Sequence, residues 1–392
     1  MSGTTLRESA SPGAETVLVE VSVVIPCLDE AASIEACVHA ARAALDEGGY
    51  HGEVIVVDNG STDGSGELAA RAGARVVEEP RRGYGNAYLA GLAAAQGQYI
   101  VMLDADMTYD ASELPRFVEA LRDGGDLVLG DRMEQIQPGA MPWLHRRVGN
   151  PVLTGLLNRL YDTDVRDAHC GMRAVRREIL PRLDLRTGGM ELASEMVIRA
   201  AKLDLDIRQF PIEYHPRKGE SKLSTWRDGW RHLRFLLIHS PTYLFLIPGT
   251  IMAILGATII GVVLANVSLI GREWGIHAEI GGSLLLVLGT QVVALGLCAM
   301  AYGVYFMGEK DAWFSRMRAR FRLEHGLVLG GLIGIAGLIF SGILIGIWID
   351  RGFGSLAEQQ LAVLAATLVT AGAEIFFTSF LLSILGLRRR RE

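Results

Sequence analysis

The sequence predicts an α/β domain with a mixed, mainly parallel sheet, followed by an all-α transmembrane domain of four helices. Two observations lead to this fold class: β-rich and amphipathic segments alternate in the first half, and four long apolar segments follow in the second. The chain has 392 residues, of which 50% are hydrophobic, and its net charge is −6. That charge excludes a nucleic-acid binder of the usual basic kind.

The predicted strands and helices of the first half alternate regularly. The strands are 21–26, 53–58, 74–79, 98–103 and 126–130, and the helices are 31–46, 62–72, 85–95 and 112–122. Alternation at this spacing predicts βαβ units, and ligands of such sheets bind beyond the carboxyl ends of the strands. We expect a flexible tail at 1–16 and a catalytic domain at 17–223.

Polar clusters follow three of these strands. They comprise Pro26 and Glu30; Asp58, Gly60, Ser61 and Asp63; and Asp104 with Asp106. Because the carboxyl ends of parallel strands meet at one edge, we expect the clusters to converge there. Ser61 or Thr62 is placed to cap the helix that follows. Neither a dinucleotide-binding GxGxxG segment nor a Walker A loop is present in the sequence.

Asp104 and Asp106 are candidate ligands of Mg²⁺ or Mn²⁺. Two carboxylates at a strand end offer hard oxygen donors to one point, and Mg²⁺ fills its other positions with water and substrate phosphate. Such a metal would bind a diphosphate and stabilise its charge as it leaves. The alternative is a solvated turn without metal, which the neighbouring clusters disfavour.

Basic residues predict that a second anionic group binds near the membrane surface. They are Arg132, just past the fifth strand; Arg146 and Arg147, which lie with the neutral Asn150 near the start of a helix; and Arg217, Lys218 and Lys222. Arginine binds phosphate through its bidentate fork. For Arg147 and Lys218, taken singly, a solvated surface charge is the favoured interpretation.

The predicted membrane spans are about 241–266, 280–307, 327–349 and 361–387. Each exceeds the roughly 20 residues that cross a bilayer core, which disfavours buried helices of a soluble protein. The loop 308–326 and the C-terminal tail are basic, so we expect both, with the N-terminal domain, to be cytoplasmic. The absence of an apolar signal-peptide segment in 1–16 agrees with this orientation.

The segment 224–240 predicts an amphipathic juxtamembrane helix. Trp226, Trp230, Leu233 and Leu237 share one face, and arginines lie around the other. An interfacial helix is favoured over a helix that packs on the soluble domain. Glu374 interrupts the last span, and we interpret it as a contact between helices or protomers, which leaves a homo-oligomer possible. The four cysteines form no CxxC pair, which disfavours a disulfide framework or a zinc site.

Several segments, in order along residues 20–223, resemble family 2 glycosyltransferases. They are VVIPCLDE, VVDNGSTDGS, RRGYGNAYLAGLAAAQGQYIVMLDADMTYD, LGDR, DAHCGMRAVRREIL and FPIEYHPRKGESKLS. The resemblance is narrower to dolichol- or polyprenyl-phosphate mannose or glucose synthases. It implies a GT-A fold for the first domain.

The resemblance also implies roles for individual residues. The residues that would contact the nucleotide sugar are Pro26, Leu28, Glu30, Asp58, Gly60, Ser61 and Asp104, and those that would bind the metal are Asp104 and Asp106. The residues that would contact the phosphates of donor and acceptor are Arg132, Arg146, Asn150, Arg217, Ser221 and Lys222. A further motif of the family matches Asp167, Gly171 and Arg173. Two residues depart from the family pattern. Asn59 replaces an acid of many relatives, and Thr108 stands where many mannose synthases have glutamine, so the third metal ligand and the donor stay open.

The expected activity is inverting transfer of a hexose from GDP-mannose or UDP-glucose to polyprenyl or dolichyl phosphate at the lipid bilayer. A phosphate monoester has its second pKa near 6, so the acceptor is a nucleophile without a general base. Asp104, Asp106, Arg132 and Arg146 would therefore act by positioning and electrostatics.

Four alternatives differ from this expectation. A processive polysaccharide synthase would carry a QxxRW motif, which the sequence lacks. A lipid-phosphate aminosugar transferase is poorly separated from a hexose transferase. A membrane scaffold with an inactive domain would be expected to lose the metal acids or the arginines, and the sequence retains both. Spans that flip the lipid product are disfavoured because Glu374 is the one charge that interrupts them.

Overall fold

A computed structural model describes residues 19–218, 225–268, 274–306, 312–320, 323–353 and 357–386. The chain divides into two compact units, and the division falls between Leu233 and Arg234. Each unit is described by itself.

The first unit is built on a seven-stranded sheet. Its strands are β1 (Val21–Cys27), β2 (Gly52–Asp58), β3 (Arg75–Glu78), β4 (Tyr99–Met102), β5 (Leu127–Asp131), β6 (Arg173–Arg176) and β7 (Ile207–Pro211). They lie in the order β3-β2-β1-β4-β6-β5-β7. β6 runs antiparallel to β4 and β5, and the other neighbouring pairs are parallel. The predicted mixed, mainly parallel sheet is thus confirmed.

Helices pack on both faces of this sheet. The helices that lie within the first unit are α1 (Ile34–Glu47), α2 (Ser65–Arg71), α3 (Tyr84–Ala94), α4 (Leu114–Arg122), α5 (Asn150–Tyr161), α6 (Leu180–Leu183) and α7 (Leu192–Lys202). α8 (Thr225–Ile238) begins in the first unit and ends in the second. Short 3₁₀ turns lie at Ala111–Glu113 and Arg177–Ile179, and a π-helical segment at His145–Gly149 leads into α5. Val23 and Val24 point to opposite faces and are both fully buried, as expected for a sheet packed on both sides.

One helix cap and two strands of the first unit differ from the sequence expectations. The helix after β2 begins at Ser65 with Gly64 at its N-cap, so the prediction of a cap at Ser61 or Thr62 was wrong. β6 and β7 were not predicted, and the sequence of β6, RAVR, places arginines at both ends of a four-residue strand. Arg173 is nevertheless 1% exposed, so the hydrophobic pattern does not report the burial of this strand.

Among its described residues, the second unit contains four apolar helices long enough to cross a membrane, which confirms the prediction of four. These candidate spans are Thr242–Leu264, Ile276–Phe306, Glu324–Asp350 and Gln359–Gly386. The α-helices are α9 (Ile247–Leu264), preceded by a π-helical segment at Thr242–Leu246, α10 (Ile276–Phe306), α11 (Ala312–Arg320), α12 (Leu323–Asp350) and α13 (Gln359–Gly386). The short helix α11 within the basic loop was not predicted.

Glycines let the helices of the second unit pack backbone to backbone. A Cβ on Gly256 of α9 would lie 2.4 Å from the Leu286 nitrogen of α10, and one on Gly372 of α13 would lie 2.4 Å from the Gly334 nitrogen of α12. Small residues at such contacts are typical of membrane helices. Glu374 Oε2 accepts a hydrogen bond of 2.8 Å from Thr290 Oγ1, which joins α13 to α10 and agrees with a helix-contact role.

Helix α8 occupies most of the predicted juxtamembrane segment. Trp230 is 61% exposed and Ile238 is also exposed, whereas His232 and Leu236 form its buried side. The side chain of Trp226 lies outside the described residues. An exposed tryptophan on a helix that precedes a span is consistent with an interfacial helix, which stays a prediction.

Candidate active site

The three predicted polar clusters lie side by side at one edge of the sheet. They follow β1, β2 and β4, and these strands are neighbours in the order β2-β1-β4. β1 is parallel to both of the others, so all three carboxyl ends point the same way. This edge is therefore the candidate active site.

Side chains of the second cluster hold the backbone of the first. Ser61 Oγ accepts a hydrogen bond from the Asp29 nitrogen at 3.0 Å, and Asp63 Oδ2 accepts one from the Ala31 nitrogen at 2.9 Å. Asp58 Oδ1 in turn accepts from the Ser61 nitrogen at 2.8 Å. The turn around Glu30 is thus fixed before any ligand binds, and Ser61 already uses its hydroxyl oxygen within the protein.

Asn59 fastens the segment 79–83 to the end of β2. Its Nδ2 donates to the carbonyl oxygens of Glu79 at 2.7 Å and Arg81 at 2.9 Å, and its Oδ1 accepts from the Gly83 nitrogen at 2.7 Å. An aspartate cannot donate to two carbonyl groups. These hydrogen bonds therefore explain why an amide, and not a carboxylate, stands at position 59.

Replacing Asn59 with aspartate is expected to lower the free energy of unfolding by about 3 kcal/mol. Two carbonyl groups would lose their donor and face a carboxylate in a site that is 3% exposed. Chemical unfolding of the full chain in detergent, followed by circular dichroism, measures the change. The matched control is Asn86→Asp, which removes one 3.2 Å bond to the Arg82 carbonyl at an exposed site and should cost under about 1 kcal/mol. Equal stability of the two variants would contradict the role of Asn59.

Two tyrosines that the sequence analysis did not single out hold Asp104. Tyr84 donates its hydroxyl group to Asp104 Oδ1 at 3.1 Å, and the Tyr88 hydroxyl lies 3.3 Å from the same oxygen and 3.0 Å from the Leu103 carbonyl oxygen. They are four residues apart on α3, so they share a face, and this spacing was the available signal. Burial, and then the negative charge of Asp106, raises the pKa of Asp104 above its usual range. Gly171 lies against the other oxygen, since a Cβ there would be 2.4 Å from Oδ2.

Thr108 holds Asp106. Asp106 Oδ1 accepts hydrogen bonds from the Thr108 nitrogen at 3.1 Å and from Thr108 Oγ1 at 2.6 Å. The intervening Met107 has a φ of 60°, which turns the backbone so that Thr108 faces the carboxylate. The Thr108 hydroxyl therefore orients a candidate metal ligand through a hydrogen bond.

Arg217 lies between the first and third clusters. Its Nη2 is 2.5 Å from Glu30 Oε1, and its Nη1 is 3.5 Å from Asp106 Oδ2. Its Nε is buried and has no hydrogen-bond partner within the described part of the chain. An unpaired N–H donor at this edge is suited to an anionic oxygen. Ser221 and Lys222, predicted to act with it, lie outside the described residues.

Arg132 forms a buried ion pair with Asp167. Its Nε and Nη2 donate to the two carboxylate oxygens at 2.6 and 2.9 Å, and its Nη1 is 3.4 Å from the Tyr109 hydroxyl. Burial alone would raise the pKa of Asp167, but the charge and hydrogen bonds of Arg132 hold it below its ordinary value. Arg132 thus has only Nη1 to offer a phosphate. Arg173 donates to the carbonyl groups of Ala168, Cys170 and Ala193, so its contacts are structural.

Arg146 and Arg147 line a cleft beside this edge. Together with Met133 and Pro151 they surround a volume of about 300 Å³, and Met133 follows Arg132 directly. Asn150, at the start of α5, donates to the sulfur of Met141 at 3.8 Å. Arg147 is exposed to solvent and shares this cleft with Arg146, so its role stays a prediction.

An apolar stripe accompanies these arginines. Trp143 is 70% exposed and Val152 is 60% exposed, and Leu144 and Val148 lie exposed between them. Within residues 19–218, every large hydrophobic side chain that is exposed belongs to this stripe. Soluble surfaces rarely gather such residues in one place, so the stripe marks a contact with apolar material.

The acid pair fits a hard divalent cation that is shared with a substrate. Across the described ranges, no group of three or more His, Cys, Asp or Glu side chains is arranged to hold a metal. The protein would thus supply Asp104 and Asp106, which is the usual share of ligands for Mg²⁺ in phosphate-binding sites. Burial and mutual repulsion of these two carboxylates favour a bound positive charge.

Comparison with known proteins finds family models along both units. The model described as glycosyl transferase family 2 matches residues 22–183, and that described as glycosyltransferase family 2 C-terminal transmembrane region matches residues 297–386. The chain is 41% identical over 368 residues to a low-salt glycan biosynthesis hexosyltransferase, Agl6, of Haloferax volcanii, covering 93% of this chain and 89% of that protein.

Two further relatives carry names that specify a lipid phosphate. A dolichyl-phosphate hexose transferase of Haloferax volcanii is 40% identical over 179 residues, which cover 45% of this chain and 76% of that protein. An undecaprenyl-phosphate 4-deoxy-4-formamido-L-arabinose transferase of Edwardsiella ictaluri is 29% identical over 289 residues, covering 71% of this chain and 86% of that protein.

Proposed function

Because the chain belongs to the family 2 glycosyltransferases, we propose that it transfers a hexose from a nucleotide-diphosphate sugar to a polyprenyl phosphate. It is a membrane glycosyltransferase, and its first unit has the GT-A fold. The hexosyltransferase name of the relative that matches 93% of the chain supports a hexose donor. The names of two other relatives support a polyprenyl-phosphate acceptor.

The observation that carries the acceptor assignment is the apolar stripe beside the arginine cleft. A polyprenyl phosphate has one anionic group and a long hydrocarbon chain. Arg146 and Arg147 suit the anionic phosphate. The apolar stripe from Trp143 to Val152 suits either the hydrocarbon chain or the bilayer that contains this chain. A water-soluble acceptor would give no reason for these exposed apolar residues.

The donor would bind across the ends of β1, β2 and β4. The turns that carry Glu30 and Asp58 would contact the nucleotide, as the resemblance implies. Asp104 and Asp106 would hold Mg²⁺ or Mn²⁺, which supplies positive charge to the leaving diphosphate when bound. Tyr84, Tyr88 and Thr108 orient these two carboxylates by the hydrogen bonds described above.

The reaction would need positioning more than acid–base catalysis. An oxygen of the acceptor phosphate attacks the anomeric carbon of the sugar, and the bond from that carbon to the diphosphate breaks. The bonding electron pair leaves with the nucleoside diphosphate. A single displacement, with attack on the face opposite the leaving group, inverts the anomeric centre. Arg146 and Nη1 of Arg132 would align the attacking phosphate, and Arg217 would neutralise charge between donor and acceptor. We further propose that this site faces the cytoplasm, as the basic loops indicate.

The direct test is a donor panel. Membranes that contain the protein are incubated with polyprenyl phosphate, Mg²⁺ or Mn²⁺, and radiolabelled UDP- and GDP-sugars in turn. We expect one hexose donor to label a lipid that carries a single sugar. Polymer formation, labelling by an aminosugar donor alone, or no transfer from any donor would contradict the proposal.

Removing the apolar stripe is expected to weaken use of the lipid acceptor selectively. The double variant Trp143→Ser and Val152→Ser should raise the KM for a long-chain polyprenyl phosphate in vesicles by about tenfold or more. The loss of two exposed apolar side chains from a lipid contact is worth at least about 1.4 kcal/mol. The KM for the nucleotide sugar should be unchanged. The control variant is Ser112→Ala, which alters an exposed residue outside the stripe and should change neither KM. An unchanged acceptor KM in the double variant would contradict a lipid contact.

A further inference from the structure

Ser194 joins two histidines inside the first unit. Its Oγ lies 3.2 Å from His169 Nε2 and 3.2 Å from His232 Nδ1. The two imidazole rings meet edge to face with their centroids 4.7 Å apart. Ser194 is fully buried on α7, and His232 is 8% exposed on α8. Three elements distant in sequence are therefore linked by one hydroxyl group.

The hydrogen bonds of this cluster have a preferred direction. A serine hydroxyl donates once, so it donates to one imidazole and accepts from the other. His169 Nδ1 is buried and has no hydrogen-bond partner among the described residues. A buried nitrogen acceptor without a partner costs less free energy than a buried N–H without one, so Nδ1 of His169 carries no hydrogen. His169 therefore carries its hydrogen on Nε2 and donates it to Ser194. Ser194 then donates to His232 Nδ1. Burial lowers the pKa of His169 to about 3, which keeps this ring neutral at pH 7.

The chain of contacts continues to the candidate active site. The His169 nitrogen donates to Asp167 Oδ1 at 3.2 Å, and Asp167 holds Arg132. Tyr109, which Arg132 Nη1 approaches, accepts a hydrogen bond of 2.7 Å from the Gly171 nitrogen. Gly171 packs against Asp104. The segment 167–171 thus contacts Ser194 through His169, Arg132 through Asp167 and Asp104 through Gly171.

We propose that His232 and Ser194 are positioning residues, which set the segment 167–171 and through it Arg132 and Asp104. The proposal rests on the proposed function, because the reaction it assists is hexose transfer to a lipid phosphate. His232 lies on α8, which runs in sequence into the first candidate span. The juxtamembrane helix therefore supplies a hydrogen bond on which the order of the active site depends.

Variants of His232 separate hydrogen bonding from packing. The Oδ1 atom of asparagine occupies nearly the place of His Nδ1, so His232→Asn can still accept from Ser194, whereas His232→Leu fills space without an acceptor. We expect His232→Leu and Ser194→Ala in the full chain to lower kcat for transfer by about tenfold or more. His232→Asn should retain at least half of the wild-type kcat. The Kd of the nucleotide sugar in His232→Asn should stay within about twofold of the wild-type value.

Equal kcat in all variants, or an equal loss in His232→Asn and His232→Leu, would overturn the proposal. If the variants fail to fold, the wild-type chain still tests it through ¹⁵N shifts of labelled histidine in bilayers. The expected result is that His169 is neutral at pH 7 with its hydrogen on Nε2, and that Nδ1 of His232 carries no hydrogen. A hydrogen on Nδ1 of either ring, or a charged ring, would overturn it. If wild-type protein transfers no hexose to lipid phosphate, the proposed function fails, while the tautomers still report on the hydrogen-bonded cluster.

Discussion

Replacing Asp106 with asparagine is expected to lower hexose transfer by about a thousandfold while the protein still folds. The change removes one negative charge from the candidate metal pair and keeps the shape of the side chain. One charge pair at 4 Å and an effective dielectric constant near 20 is worth about 4 kcal/mol, which corresponds to about three powers of ten in rate. Transfer of labelled hexose to polyprenyl phosphate, measured over a range of Mn²⁺ and Mg²⁺ concentrations, gives the effect.

The matched control for this variant lies four residues further on. Asp110→Asn makes the same chemical change at an exposed residue, whose side chain accepts from the Ser112 nitrogen at 2.9 Å. Asparagine caps a helical turn about as well as aspartate, so transfer should stay within about twofold of wild type. If Asp106→Asn kept more than a tenth of the activity with an unchanged metal dependence, Asp106 would not be a metal ligand.

The parts of the site that the sequence predicted are those with local signals. Asp104 and Asp106 follow an apolar strand directly, and parallel neighbours bring the turns after β1, β2 and β4 to one edge. The four spans are equally local, because length and composition alone define them. Their prediction needed no knowledge of which distant residues come into contact.

The parts that the sequence did not predict depend on distant partners. Asp167 lies 35 residues from Arg132, and only the fold shows that the predicted phosphate ligand is largely occupied by it. Ser194, His169 and His232 belong to three separate segments, and nothing in the sequence indicates that these segments meet. The two departures from the family pattern, Asn59 and Thr108, likewise become intelligible once their hydrogen bonds to the segment 79–83 and to Asp106 are visible.

Replacing Asp167 with asparagine is expected to lower the free energy of unfolding of the first unit by about 3–5 kcal/mol. Arg132 would keep its charge in a site where its side chain is 9% exposed, without a carboxylate to balance it. Because transfer needs an aligned Arg132, activity should fall together with stability. Thermal and chemical unfolding of the full chain in detergent, followed by circular dichroism, measures the first effect.

A second variant separates the structural role of this ion pair from its role in transfer. Arg132→Met combined with Asp167→Leu removes both buried charges and should regain most of the lost stability, while transfer stays abolished. Recovery of transfer in this variant would show that Arg132 does not act on the substrate.

The pH dependence of stability supplies an independent check of the ion pair. The pKa of Asp167 is lowered in the folded protein, so the ion pair stabilises it fully above the ordinary aspartate value of about 3.9. That stabilisation is lost as the pH falls through the lowered pKa of Asp167 in the folded protein. The stability difference between wild type and Asp167→Asn should therefore be constant from about pH 5 to 8 and shrink only in stronger acid.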